Sequence, residues 1–133
     1  MVANVVAGIL TKNGKFLVEK RRDNDEADPG YVEIPGGHVR EGESLENALR
    51  REMKEELGIE VERMKLVFKS LATATTGEKQ RIHYFHVERW NGIIRAKEAE
   101  QVYWESHVSG LSVAPDRAAI ENLVKLKALQ VAG

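Results

Sequence analysis

The chain has 133 residues, a formal net charge of −1 with 31% charged side chains, and no cysteine. That length suffices for one domain, residues 1–133, with a core of its own. The lack of cysteine excludes disulfides, thiolate metal sites and cysteine nucleophiles, and the balanced charge excludes a broad basic field for a nucleic-acid duplex. The opening MVANVVAGIL has neither a basic leader segment nor a cleavage site. No apolar run reaches the length of a membrane span. Both features predict a soluble, cytoplasmic protein without a membrane partner.

Val2 to Leu10 is rich in β-branched residues and leads into Asn13-Gly14 and then Phe16-Leu17-Val18, the pattern of two antiparallel strands joined by a two-residue turn. Gly8 interrupts the first strand and marks a bulge or a close backbone approach. Lys20, Arg21 and Arg22 end the second strand, and Asp23 to Gly30 reads as an acidic, turn-prone loop. Tyr31 to Ile34 is a short strand running into Pro35-Gly36-Gly37, where a sharp turn with exposed carbonyls and amides is expected. From Ser44 to Leu57 there is no Gly or Pro, and Leu45, Ala48, Leu49, Met53 and Leu57 recur at helical spacing. Ser44 suits the N-cap and Gly58 the left-handed position that ends the helix.

Glu52, Glu55 and Glu56 project from one face of this helix. Taken alone, such a face is either a solvated surface with Arg51 paired to Glu55 or an oxygen-rich site for a divalent cation. After the helix, Val61 to Thr75 and Arg81 to Trp90 form an alternating strand pair around Thr76-Gly77. His83 and His86 stand three apart on the second of these strands, so they face opposite sides and cannot share an ion. Asn91-Gly92 is another turn, and Val102-Tyr103-Trp104 a last strand. Pro115-Asp116 opens a second helix with Ile120, Leu123, Val124, Leu126 and Leu129 on one face and Asp116 as N-cap.

The stretch GHVREGESLENALRREMKEELGI, Gly37 to Ile59, fits Gly-x5-Glu-x7-Arg-Glu-aliphatic-x-Glu-Glu-x-Gly-aliphatic, with Met53 at a position where a branched aliphatic is usual. It resembles the Nudix box, and weaker similarity to the MutT type, including His86-Val87-Glu88-Arg89-Trp90, extends over most of the chain. The resemblance implies a Nudix fold, an α/β (α+β) architecture with a mixed β-sheet sandwiched between α-helices. It implies a Mg²⁺ site, with Mn²⁺ able to replace Mg²⁺, built from the Gly37 carbonyl, Glu52, Glu55, Glu56 and Glu98. Arg51 would orient Glu52, Glu43 would orient Arg51 or the helix start, and Glu98, with Glu100 as rival, would match the family's loop Glu as a candidate general base. Arg21, with Arg22 second, would contact phosphate. His38, where many MutT-like proteins carry Lys, would touch phosphate or fill a strand position. Asp116 matches a position that reads the nucleobase, often Asn in the family, so the departure bears on the base preferred.

The implied activity is hydrolysis of a nucleoside triphosphate, with oxidised purines such as 8-oxo-dGTP among the candidates, to monophosphate and pyrophosphate, by a monomer or homodimer. Other nucleoside diphosphate-X substrates (ADP-ribose, dinucleoside polyphosphates, nucleotide sugars) are the alternative. The lack of proline between Pro35 and Pro115 counts modestly against ADP-ribose. A non-catalytic nucleotide-binding module is the alternative of another class.

Overall fold

The computed structural model describes residues 1–126. Asn13 and Gly14 both adopt positive φ, 52° and 75°, as a two-residue hairpin turn of the mirror-image type requires, and they join β1 (Ala3–Lys12) to β2 (Lys15–Lys20). The two strands pair only at the turn end, Thr11 with Phe16 and Lys12 with Lys15. Beyond that β1 changes partner. Val5, Val6 and Ala7 pair with His38, Gly37 and Gly36 of β4 (Gly36–His38), while the other edge of β1 pairs in parallel with β6 (Lys79–Asn91) from Ala3 to Leu10. β5 (Glu60–Thr73) returns antiparallel along β6, and β2 is flanked by β3 (Val32–Glu33) and β7 (Gln101–Glu105).

This is a mixed sheet between helices, the Nudix architecture expected from the sequence. α1 (Leu45–Leu57) lies on one face, where Ala48, Leu49, Met53 and Leu57 pack with Val6, Leu10, Leu17, Phe85 and Val87. On the other face α2 (Ala114–Lys125) buries Ala119, Ile120 and Leu123 against Ala7, Ile9, Phe16, Val18 and Tyr84. Successive β-strand residues alternate between the two cores, as the period of two demands. Gly8 is a close approach and not a bulge: a Cβ there would meet Met53 Sδ at 2.8 Å, so the missing side chain lets α1 settle on β1.

Both ends of α1 are closed by local groups. Ser44 Oγ accepts from the Asn47 N–H at 3.1 Å, and Gly58, at φ 72°, sends its N–H to the Lys54 carbonyl. The connection after β6 completes the C-terminal end, because Arg95 N–H donates to Leu57 O and Lys97 N–H to Glu56 O. These are carbonyls that a helix end leaves without intrahelical donors.

Three expectations are corrected. Pro35-Gly36-Gly37 is not a sharp open turn; Gly36 and Gly37 lie in β4, and glycine is needed because a Cβ on Gly36 would stand 2.1 Å from the Val6 carbonyl oxygen. Asp116 is not the N-cap of α2. That place is taken by Val113, without a side-chain cap, and Asp116 sits in the first turn and is buried. The apolar face of α2 is also narrower than the spacing suggests, since Val124 and Leu126 are exposed; Leu129 lies outside the described residues.

Replacing Gly36 by alanine is expected to lower stability by about 1–3 kcal/mol, the usual cost of overpacking, through loss of the β1–β4 pairing. The urea midpoint of G36A against the unmodified protein measures it, and an unchanged midpoint would contradict this account of β4.

Candidate active site

Arg51 gathers a strand, a loop and a helix around one cluster of acids. Its Nε and Nη2 donate to the two oxygens of Glu43 at 2.8 and 2.9 Å, Nη1 donates to Glu52 at 2.8 Å and to Glu55 at 3.2 Å, and Nη2 also reaches the His38 carbonyl at 2.9 Å. The fork on Glu43 is bidentate, the geometry a guanidinium favours. Hydrogen bonds from Arg51 and from the Arg40 N–H hold the Glu43 carboxyl down at about 2.

The helix acids are not equivalent. Glu52 and Glu56 are buried, 9% and 6% exposed, whereas the Glu55 side chain is 39% exposed. Burial pushes the Glu56 carboxyl upward, and the charges of Glu19, Glu52 and Glu98 push it further. Burial also raises Glu52, against the pull of Arg51. Glu56 Oε2 is buried with no hydrogen-bond partner among the described residues, an arrangement that costs free energy unless a proton or a cation is taken up there. A Cβ on Gly37 would lie 2.4 Å from the Glu52 carboxylate, so only glycine lets the strand backbone approach that acid so closely. An orphaned carboxylate oxygen and a bare backbone facing hard oxygen ligands fit a divalent cation. Among the described residues no three acids or imidazoles are already gathered closely enough to hold an ion; Glu52 is turned to Arg51.

Glu98 lies on the exposed connection that closes the end of α1, and its charge acts on Glu19, Glu52 and Glu56. Its rival Glu100 instead pairs with Lys20 at 3.6 Å and donates its N–H to the Lys20 carbonyl.

Beside the acids opens a cleft of about 820 Å³ whose walls include Arg21, Glu33, His38, Thr75 and Asp116, with Glu19 and Gly37 where it meets the acidic cluster. That volume is within the range of small-molecule sites. Arg21 is braced by the Ala27 carbonyl at 2.8 Å and by Asp25 and Glu33 at 3.7 and 3.9 Å. Arg22 is exposed and lines a separate shallow recess. His38 stands at the exposed end of β4 with Nε2 2.7 Å from Glu78. Asp116 accepts from the Ile34 N–H at 3.0 Å and from the Tyr84 hydroxyl at 2.5 Å; burial raises its carboxyl to about 6 against those two bonds. The two histidines face opposite sides as expected, His83 near Asn4 and His86 against Thr11.

Sequence reasoning missed Glu19, Glu33, Asp28 and Tyr84. Glu33 is raised to about 9 by burial, then by a hydrogen bond shared with Asp28. Asp28 in turn exchanges hydrogen bonds with Thr75 across the cleft, 2.7 and 3.1 Å. Glu19 had a readable signal: two residues after Leu17 on an alternating strand, it had to face inward.

Comparison with known proteins agrees with the fold. The NUDIX domain family matches residues 1–126. The chain is 35% identical to a CTP pyrophosphohydrolase of Escherichia coli over 129 residues, 96% of this chain and 93% of that one. It is 33% identical to an 8-oxo-dGTP diphosphatase of Buchnera aphidicola over 105 residues, 76% of this chain and 75% of that one. A MutT NUDIX hydrolase from Burkholderia pseudomallei superposes with a TM-score of 0.80 at 26% identity, covering 92% of this chain and 98% of its own. With the full run of acids on α1 and the glycine strand laid against them, the chain belongs to the NUDIX family and is a hydrolase of phosphoanhydride bonds.

Proposed function

We propose that the protein hydrolyses a nucleoside triphosphate to the monophosphate and pyrophosphate with Mg²⁺, or Mn²⁺ in its place. The observation that carries this reading is the continuity of the cleft with the acidic cluster through Glu19 and Gly37. A base held near Asp116 would then leave its phosphates by Arg21 and the acids. The relatives named for 8-oxo-dGTP and for CTP support a triphosphate over a larger substrate.

Hydrolysis needs charge neutralisation on the transferring phosphoryl, an in-line water and a base for that water. A divalent cation supplies Lewis acidity and lowers the pKa of bound water; Glu52, Glu55, Glu56, Glu98 and the Gly37 carbonyl would hold it. Arg51 keeps Glu52 oriented and offsets the crowded negative charge. Arg21, already fixed by three neighbours, presents its guanidinium to phosphate oxygens without a large ordering cost. Glu98 is the favoured general base because it is exposed and close enough for its charge to act on the cluster, while Glu100 is engaged with Lys20. Asp116 reads the base as an acceptor, or as a donor when protonated.

The deciding assay incubates the protein and E56Q with Mg²⁺ and a panel of ordinary and 8-oxo nucleoside triphosphates, ADP-ribose and dinucleoside polyphosphates, separating pyrophosphate from phosphate. Pyrophosphate and monophosphate from a triphosphate are expected, with turnover by E56Q reduced on the order of 10²-fold or more. Turnover confined to ADP-ribose or dinucleotides would discard the triphosphate assignment.

The buried Asp116 also sets a pH dependence. Its carboxyl lies at about 6 in the fold against an ordinary 3.8, so folding favours the protonated form. Its contribution is complete below the ordinary value and is lost as pH rises through the folded one. Between about pH 4 and about pH 7 the melting temperature of D116N should therefore fall less steeply than that of the unmodified protein. Parallel slopes in a thermal-melt series would remove Asp116 from this role.

A further inference from the structure

Besides Glu98, one further acid beside the cluster comes from outside α1: Glu19, on β2. Leu17 on β2 packs into the core under α1 while Val18 packs into the opposite one, so Glu19 returns to the α1 side. Its antiparallel partner Val102 also packs against the α1 core. Glu19 is 3% exposed, and its charge is felt by Glu56, the buried acid whose Oε2 has no hydrogen-bond partner among the described residues. The nearby cation, Arg21, draws both carboxyls down but less than burial pushes them up, and its own bonds run to Ala27, Asp25 and Glu33 and not to either acid. Two buried carboxylates, Glu56 from the helix and Glu19 from the sheet on the same side, thus repel each other across the α1 core. Such a pair is unfavourable unless protonated or bridged by positive charge.

We infer that Glu19 is a ligand of the divalent cation, joining Glu56 across the gap between sheet and helix. This rests on the reading of the protein as a cation-dependent hydrolase. It adds to the helix acids a carboxylate that no part of the Gly37–Ile59 pattern contains. Because Glu19 also lines the cleft, an ion held there sits where the phosphates of a bound nucleotide would arrive.

The test measures Mn²⁺ binding to the nucleotide-free protein by titration calorimetry and by the electron paramagnetic resonance of free Mn²⁺, for the unmodified chain, E19Q and E19D. Gln keeps the volume and removes the charge. E19Q should weaken Mn²⁺ binding at least about tenfold, E19D should recover part of the loss, and without divalent cation E19Q should melt no lower than the unmodified protein. Unchanged Mn²⁺ affinity in E19Q would overturn the inference and leave Glu19 a protonated core acid. So would a cation-free E19Q that melts markedly lower, since the residue would then serve the fold, and E19D extends the same reading should E19Q not fold. Absence of triphosphate turnover in the unmodified protein, with Mn²⁺ binding intact and lost in E19Q, would sink the proposed substrate and leave this ligand standing.

Discussion

The mutual repulsion of carboxylates around the end of α1 is the constraint to which the rest of the site answers. Glu52 and Glu56 stand one turn apart on the helix, largely out of water, and Glu19 adds a third buried acid from the sheet. Like charges at that spacing weaken a helix even on a wet surface, and burial multiplies the cost. Arg51 is the internal countercharge. It spans Glu43 before the helix, Glu52 and Glu55 on it and the His38 carbonyl on β4, so the same guanidinium that offsets the acids also locks the helix to the glycine strand. Removing that side chain would leave buried charge unpaired as well as a joint undone.

The glycines make this joint possible. Gly8 admits the Met53 thioether, Gly36 admits the Val6 carbonyl, and Gly37 admits the Glu52 carboxylate. Each is a contact that a single methyl group would abolish, and together they bring a strand, a helix and a row of acids within reach of one another. The cleft beside the acids depends on a different joint, in which Asp116 ties α2 to Ile34, the residue after β3, and to β6 through Tyr84.

What the sequence reveals follows the range of the interaction concerned. The Asn13-Gly14 turn, the Ser44 cap, the Gly58 stop and the apolar stripe of α1 are encoded within a few neighbours, and they stand where the residues imply. The Nudix pattern likewise sets its acids on one helix face because their spacing is local. Asp116 is different: its position beside Pro115 argues for a cap, but partners 82 and 32 residues away claim its oxygens. Gly36 and Gly37 read as a turn because β4 exists only through pairing with β1, some thirty residues earlier. Glu33 and Asp28 carry no local signal for a shared hydrogen bond, since it arises only when the loop folds over the cleft.

The divided pairing of β1 bears on how the chain assembles as it is made. β1 is the first strand in the chain and the central one in the sheet, but its immediate successor β2 meets it at only two register positions. Its main partner is β6, along eight residues from Ala3 to Leu10, matched with Gln80 to Val87. During synthesis the most apolar strand therefore waits for more than sixty further residues before its long edge is covered, and parallel pairing over such a separation is slow to form. The helix α1 emerges in that interval and can shelter Val6 and Leu10 with Leu49 and Met53. The element that carries the acids is thus also the one that packs over the apolar face of β1 before its parallel partner has been made.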